Sequence, residues 1–244
     1  MRTIRHALLL CTATSLFAAC AFAQQSSTAS SASQPLPDSP DAQSNVSPQP
    51  TGPTAVFDTS MGRMTCKLFS QEAPKTVANF IGLAEGTKDW TNPATHQLMH
   101  GKTFYNGTTF HRVIPGFMIQ GGDPLGTGEG GPGYAIPDEF APNLNYDVSG
   151  RLAMANSGPN TDGSQFFITT APFLKGNQTY TIFGQCDQHS VLVAESIADV
   201  ERDSNDKPLT PVVLEKITIV QQGQPIPPPP SAGAPDAPAA TPQN

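Results

Sequence analysis

Between residues 54 and 222 the apolar residues fall in short runs, and Gly or Pro closes nearly every one of them. The chain holds 21 Gly and 25 Pro in 244 residues, too much punctuation for a bundle of long helices, so the segment reads as an antiparallel, mainly β domain. Runs at 54–58 and 63–69 flank a turn at Ser60-Met61-Gly62, and in the second Met64, Cys66 and Leu68 alternate with Arg63, Thr65 and Lys67, the period of a strand. Further runs lie at 109–114, 117–120, 151–155, 165–169, 180–183 and 211–220. One helix is expected from Pro74, which suits a first turn, through Val77, Phe80, Ile81 and Ala84 at helical spacing, to a stop at Gly86. A second is expected over 190–200. Eight strands and two helices predict a closed eight-stranded antiparallel β-barrel capped by the helices, because closure leaves no exposed edge.

The flanks differ in composition. Residues 24–53 and 223–244 are rich in Ser, Ala, Gln and Pro and poor in large apolar side chains, so they cannot bury enough surface to offset the entropy of ordering. They read as a linker and a tail, the latter opening on the polyproline tract Pro227-Pro228-Pro229-Pro230. The first 23 residues read as a signal peptide: Arg2 and Arg5, an apolar stretch over 7–19, then Ala21-Phe22-Ala23 as the cleavage site. The alternative is a lipoprotein box at Phe17-Ala18-Ala19-Cys20, with the chain anchored through Cys20. Export, periplasmic or secreted, is the expectation. Cleavage after Ala23 would leave Cys66 and Cys186, which in an oxidising compartment are either a disulfide or two buried thiols. The formal net charge of -7 argues against nucleic acid or an anionic membrane surface as the main partner.

Two segments concentrate chemistry. The first is Phe110-His111-Arg112-Val113-Ile114-Pro115-Gly116-Phe117-Met118-Ile119-Gln120-Gly121-Gly122-Asp123. By strand alternation Arg112 shares a face with Phe110 and Ile114, placing a permanent cation beside apolar groups. Taken alone, that is also what an edge-strand arginine with a packed stem looks like. The second is Met154-Ala155-Asn156-Ser157-Gly158-Pro159-Asn160-Thr161-Asp162-Gly163-Ser164-Gln165-Phe166-Phe167, a polar loop between two strands.

Together with Tyr180-Thr181-Ile182-Phe183-Gly184, these segments resemble the signature stretches of cyclophilin-type peptidyl-prolyl cis-trans isomerases, in the family's order and at compatible spacing. The resemblance implies a barrel with a peptide groove on its outer face, Arg112 as the catalytic arginine, and Phe117, Met118 and Phe167 as the proline pocket. It places Gln120, Ala155, Asn156 and Gln165 along the groove, with the Asn156 backbone holding the peptide, and Phe173, Leu174 and Tyr180 on the far wall. Phe173 and Tyr180 stand where well-known members carry tryptophan and histidine, which weakens the case for tight cyclosporin binding. The stretch 88–102 is longer than in compact members. Proline-containing polypeptide clients, a monomer and no cofactor are implied; a non-catalytic proline-binding module is the competing function.

Other signals carry less. Gly126-Thr127-Gly128-Glu129-Gly130-Gly131 matches the letters of a dinucleotide fingerprint but is followed by Pro132-Gly133 instead of a helix. His96, His100 and His111 lack the Cys or carboxylate that would complete a metal site. Ser164 lies outside any nucleophile elbow.

Overall fold

The computed structural model describes residues 48–229. The expected leader, the Cys20 anchor, most of the linker and the end of the tail lie outside those residues.

Strands β1 (Thr54–Thr59) and β2 (Gly62–Leu68) form the first hairpin. In β2 the alternation of the sequence becomes an alternation of burial, with Met64, Cys66 and Leu68 inside and Lys67 exposed. Helix α1 (Pro74–Glu85) turns Val77, Phe80, Leu83 and Ala84 inward and stops at Gly86, whose φ of 73° suits a residue without a side chain. Its own N-cap offers no side-chain bond; instead the distant Glu139 accepts from Lys75 N at 3.1 Å and Thr76 N at 2.8 Å. That carboxylate satisfies orphan donors and sits at the positive end of the helix.

The chain continues through β3 (Trp90–Thr91), β4 (Leu98–Met99), β5 (Thr108–Thr109), β6 (Arg112–Ile114), β7 (Met118–Gly121), β8 (Arg151–Met154), β9 (Phe166–Thr169), β10 (Ile182–Cys186), α2 (Gln188–Ala198) and β11 (Val213–Val220). Asp187 caps α2 by accepting from Ser190 N at 2.8 Å. β3 and β4 pair only with each other; the other strands form one antiparallel sheet in the order β5-β11-β1-β2-β10-β8-β9-β7-β6.

The sheet therefore has nine strands, not the eight expected. The run 109–114 splits: Thr109 pairs with Val213 on β11, whereas Arg112 pairs with Gln120 on β7. Between them Phe110 N still donates to Val212 O at 3.0 Å and its ring is buried in the central core, so the backbone must leave one neighbour before joining the next. Hence Phe110 does not share the face of Arg112 and Ile114. The two end strands of the sheet are consecutive in the chain, which requires the sheet to curl.

Two apolar clusters lie on opposite faces of the curled sheet. In the central one, Phe166 meets the rings of Phe57, Phe80, Tyr105 and Phe110 at centroid separations of 5.6 to 6.2 Å. The other gathers Phe69, Met118, Leu144, Tyr146, Ala153, Phe167 and Ile182. Strands β8 and β9 are buried along their whole length because each serves both: Leu152, Met154, Phe166 and Ile168 face one cluster, Ala153 and Phe167 the other.

Cys66 and Cys186 are disulfide-bonded where β2 and β10 lie directly opposite, across 120 residues of chain. Closing so long a loop restricts the unfolded state, and losing such a bond costs about 2–5 kcal/mol. Reduction is expected to lower the melting temperature by roughly 5–15 °C; an unchanged melt after verified reduction would show that packing alone sets the stability.

Candidate active site

The register of the sheet lines up the site. Arg112 on β6 is opposite Gln120 on β7, Gln120 is opposite Phe167 on β9, and Phe167 is opposite Ala153 on β8, so these side chains share one face. They border a cleft of about 290 Å³ lined by Arg112, Phe117, Met118, Gln120, Ala155, Asn156, Phe167, Phe173 and Tyr180. All nine carry a site role in the sequence reading. Met118 and Phe167 form a floor only 2% and 5% exposed. The Phe117 and Phe173 rings close one side edge to face at 4.7 Å, and Tyr180 meets Phe167 at 5.4 Å on another.

Gln165 stands just beyond the cleft. It accepts from Gln120 Nε2 at 2.9 Å and donates to Gly128 O and Gly130 O at 2.8 and 2.9 Å, which fixes the Gln120 amide from behind. Leu174, expected on the far wall, does not line the cleft. It begins a 3-10 turn (Leu174–Gly176) and is 63% exposed, because Phe173 takes the inward position against Phe117 and Tyr146 and the next residue turns out.

Asn156 is held by its own side chain: Nδ2 donates to Thr179 O at 3.0 Å and Asp162 Oδ1 at 3.3 Å, while Oδ1 accepts from Gly158 N at 3.3 Å. Arg112 keeps 44% of its side chain exposed, and its Nε lies 3.8 Å from Asp206 Oδ2. Asp206 also accepts Val113 N at 2.8 Å through its carbonyl, tying the 201–209 loop to β6. Sequence reasoning missed Asp206 and Asp162, since both are polar residues in polar loops with no pattern to single them out.

The glycine-rich loop at 126–131 spends its donors on its own chain. Asp123, fully buried, accepts from Leu125 N, Thr127 N and Gly128 N at 2.7 to 2.9 Å. Burial pushes that carboxyl up, but these backbone donors outweigh it and hold it below its ordinary value. No helix follows, so nothing here offers a phosphate site. Ser164 is buried and donates to Gly122 O at 2.8 Å, a structural bond.

The family model described as cyclophilin type peptidyl-prolyl cis-trans isomerase/CLD matches residues 54–219. The chain belongs to that family. Over 167 residues it is 53% identical to a Mycobacterium tuberculosis protein named peptidyl-prolyl cis-trans isomerase A, covering 68% of this chain and 91% of that one. Over the same length it is 46% identical to peptidyl-prolyl cis-trans isomerase B of Streptomyces anulatus, covering 68% and 95%. Among solved structures, a Cryptosporidium parvum cyclophilin crystallised in the presence of the dipeptide Ala-Pro is 35% identical with a TM-score of 0.58, covering 68% of this chain and 98% of that one. The architecture is the mainly β cyclophilin fold with two helices, and the protein is an enzyme that isomerises X-Pro peptide bonds.

In this isomerase Asp162 is the acid with the clearest perturbation next to the cleft. It is fully buried, and burial drives its pKa from 3.8 up to about 6; bonds from Thr181 Oγ1 at 2.7 Å and Asn156 work against the rise, and Asp138 and Glu139 add to it. A carboxyl raised in the folded state adds stability that is complete below its unfolded pKa and lost as pH climbs through about 6. Asp162→Asn keeps the bond to Thr181 and removes the charge. It is expected to melt about as the parent does near pH 4 and to be more stable by about 1–2 kcal/mol above pH 7. Equal pH dependence of the two melts would mean that Asp162 does not carry this cost.

Proposed function

We propose that Arg112 is the catalytic group of this isomerase and that Phe117, Met118 and Phe167 receive the proline ring of the client. The observation that carries this reading is a guanidinium on the same sheet face as the buried apolar floor of Met118 and Phe167, with Phe167 two strands away. Resonance makes the X-Pro bond planar, with a rotational barrier of about 18–20 kcal/mol. At the top of the barrier the resonance is lost and the nitrogen lone pair is free to accept a hydrogen bond. A guanidinium offers fixed donors for it without taking part in proton transfer. The apolar floor withholds water that would otherwise favour the more polar planar amide.

One charge-assisted hydrogen bond contributes about 1.5–3 kcal/mol, while a millionfold acceleration needs about 8. The balance falls to positioning. With Asn156 braced by Asp162 and Thr179, and Gln120 braced by Gln165, the residue before proline is held while the other side turns. Ala-Pro, the dipeptide present when the Cryptosporidium relative was crystallised, is of the chemistry this cleft would take.

The wider reading is that proline-containing segments of exported polypeptides are the clients, met by a monomer that has lost its leader at Ala23 or is anchored through Cys20. Arg2, Arg5 and the apolar stretch that follows support export. The Thr109 to Asp123 bridge at the seam between the sheet's ends supports a closed barrel. A protease-coupled proline assay tests the catalytic assignment. Arg112→Ala is expected to lower kcat/KM by about 10- to 100-fold with peptide binding largely kept; turnover near that of the parent would remove Arg112 from the chemistry.

A further inference from the structure

Beside the 201–209 loop lies a pocket of about 480 Å³ lined by His111, Arg112, Gln120, Thr127, Asp203 and Lys207 together with parts of the neighbouring turns. Only Arg112 and Gln120 of its lining also border the proline cleft. His111 is a buried titratable group that the isomerisation chemistry leaves unused. It is 6% exposed, and neither ring nitrogen completes a hydrogen bond, although Thr109 and Gln165 approach the ring. Burial pushes the imidazole below its ordinary pKa, with Asp123 opposing and Lys207 assisting, so the ring is neutral and keeps one N–H to donate. Its Nε2 edge faces Gly128, another residue of the lining, where a Cβ would lie 3.7 Å from Cδ2 and Nε2. A buried donor without an acceptor is costly, and a ligand that supplies the acceptor recovers that cost.

The walls beside it are cationic. Arg112 is 44% exposed and held only by Asp206, 3.8 Å from its Nε. Lys207 spends one donor on Gly126 O at 2.9 Å, and an ammonium has three. The turn that carries Lys207 is fixed by Asp203, whose Oδ1 accepts from Asn205 N at 2.8 Å and Lys207 N at 3.0 Å. Asp203 is the one carboxylate of the lining, and these backbone donors engage it and hold it below its ordinary pKa. Two cations and an unpaired N–H, against one engaged carboxylate, suit an anion.

The glycine loop decides which anion. Thr127 N and Gly128 N are spent on Asp123, so no nest of backbone donors is left to surround a tetrahedral group. The remaining donors are side chains, and the planar fork of a guanidinium matches the two oxygens of a carboxylate. Arg112 and Lys207 offer one cation for each end of a dicarboxylate.

We propose that this pocket binds a small dicarboxylate, held by Lys207 and His111, which draws the Arg112 guanidinium away from the proline nitrogen and slows the isomerase. This rests on the reading of Arg112 as the catalytic group. Met118 and Phe167 are not part of the pocket, so the client still binds while the anion occupies the donors that turnover needs.

The test uses the full chain, with succinate as the probe and succinamide as its neutral control, at constant ionic strength so that screening is equal. Isomerisation is followed by NMR exchange on an Ala-Pro peptide, which involves no coupling protease. Succinate is expected to lower the rate at saturating peptide by about tenfold or more, the loss of one charge-assisted hydrogen bond, with peptide affinity unchanged. It is also expected to shift the His111 ring resonances, and succinamide to do neither. Lys207→Gln is expected to turn over like the parent without succinate and to bind succinate about three- to tenfold more weakly, the range of one partly exposed charge. Unmoved His111 resonances, or an inhibition that Lys207→Gln leaves intact, would overturn the proposal. Arg112→Ala turning over like the parent would strike the catalytic reading instead, and the His111 shift would still report on the site.

Discussion

Strand β9 must be apolar on both faces, and the site depends on that constraint. Phe166 is locked among the rings of Phe57, Phe80, Tyr105 and Phe110, so its backbone position is set by the central core. The next residue, Phe167, has to point the other way, since successive strand side chains alternate. The floor of the cleft is thus the reverse side of the hydrophobic core, and it inherits the core's rigidity. Register then carries that placement sideways: fixing Phe167 fixes Gln120 opposite it, and Gln120 fixes Arg112.

The same logic explains why the second face needs its own roof. Ala153 and Phe167 would be an exposed apolar patch without cover. Tyr146 stacks on Phe167 at 6.0 Å, Phe173 packs on Tyr146 at 5.7 Å, and Phe117 completes the chain at 4.7 Å from Phe173. Between these rings and Arg112 a cleft of about 290 Å³ stays open, so it is the portion of an apolar face that the fold does not fill. On the proposed reading, a client's proline finishes the packing.

Much of the cleft lining could be read in the sequence because a permanent cation next to apolar strand residues is an unusual pattern, and the two long motifs around Arg112 and Asn156 carried most of the lining residues with them. The limits are equally physical. The run 109–114 looks continuous in composition, yet it serves two edges of the sheet, and only tertiary pairing reveals the break at Phe110 and His111. Leu174 follows an inward-facing Phe173 in a turn whose direction no periodicity encodes. The β3–β4 hairpin is two residues wide on each side, too short for alternation to register. Glu139 capping α1 and Asp162 bracing Asn156 join residues far apart in the chain or in a loop, and a lone carboxylate has no sequence pattern that tells a brace from a solvated charge.

Arg112 faces a conflict that the surrounding structure resolves. A guanidinium fully buried in the cleft would donate more strongly but would cost several kcal/mol to desolvate; one fully in water would be screened. Its side chain lies between, 44% exposed, with Nε 3.8 Å from Asp206, too far for a hydrogen bond but near enough to be attracted. Arg202 Nε approaches the other oxygen of the same carboxylate at 3.4 Å, which divides the pull of Asp206 between two cations. A partner this loosely held offsets part of the desolvation cost without fixing the guanidinium donors. In the proposed mechanism they remain available for the short interval in which a proline nitrogen can accept them, and the bound client removes the remaining water.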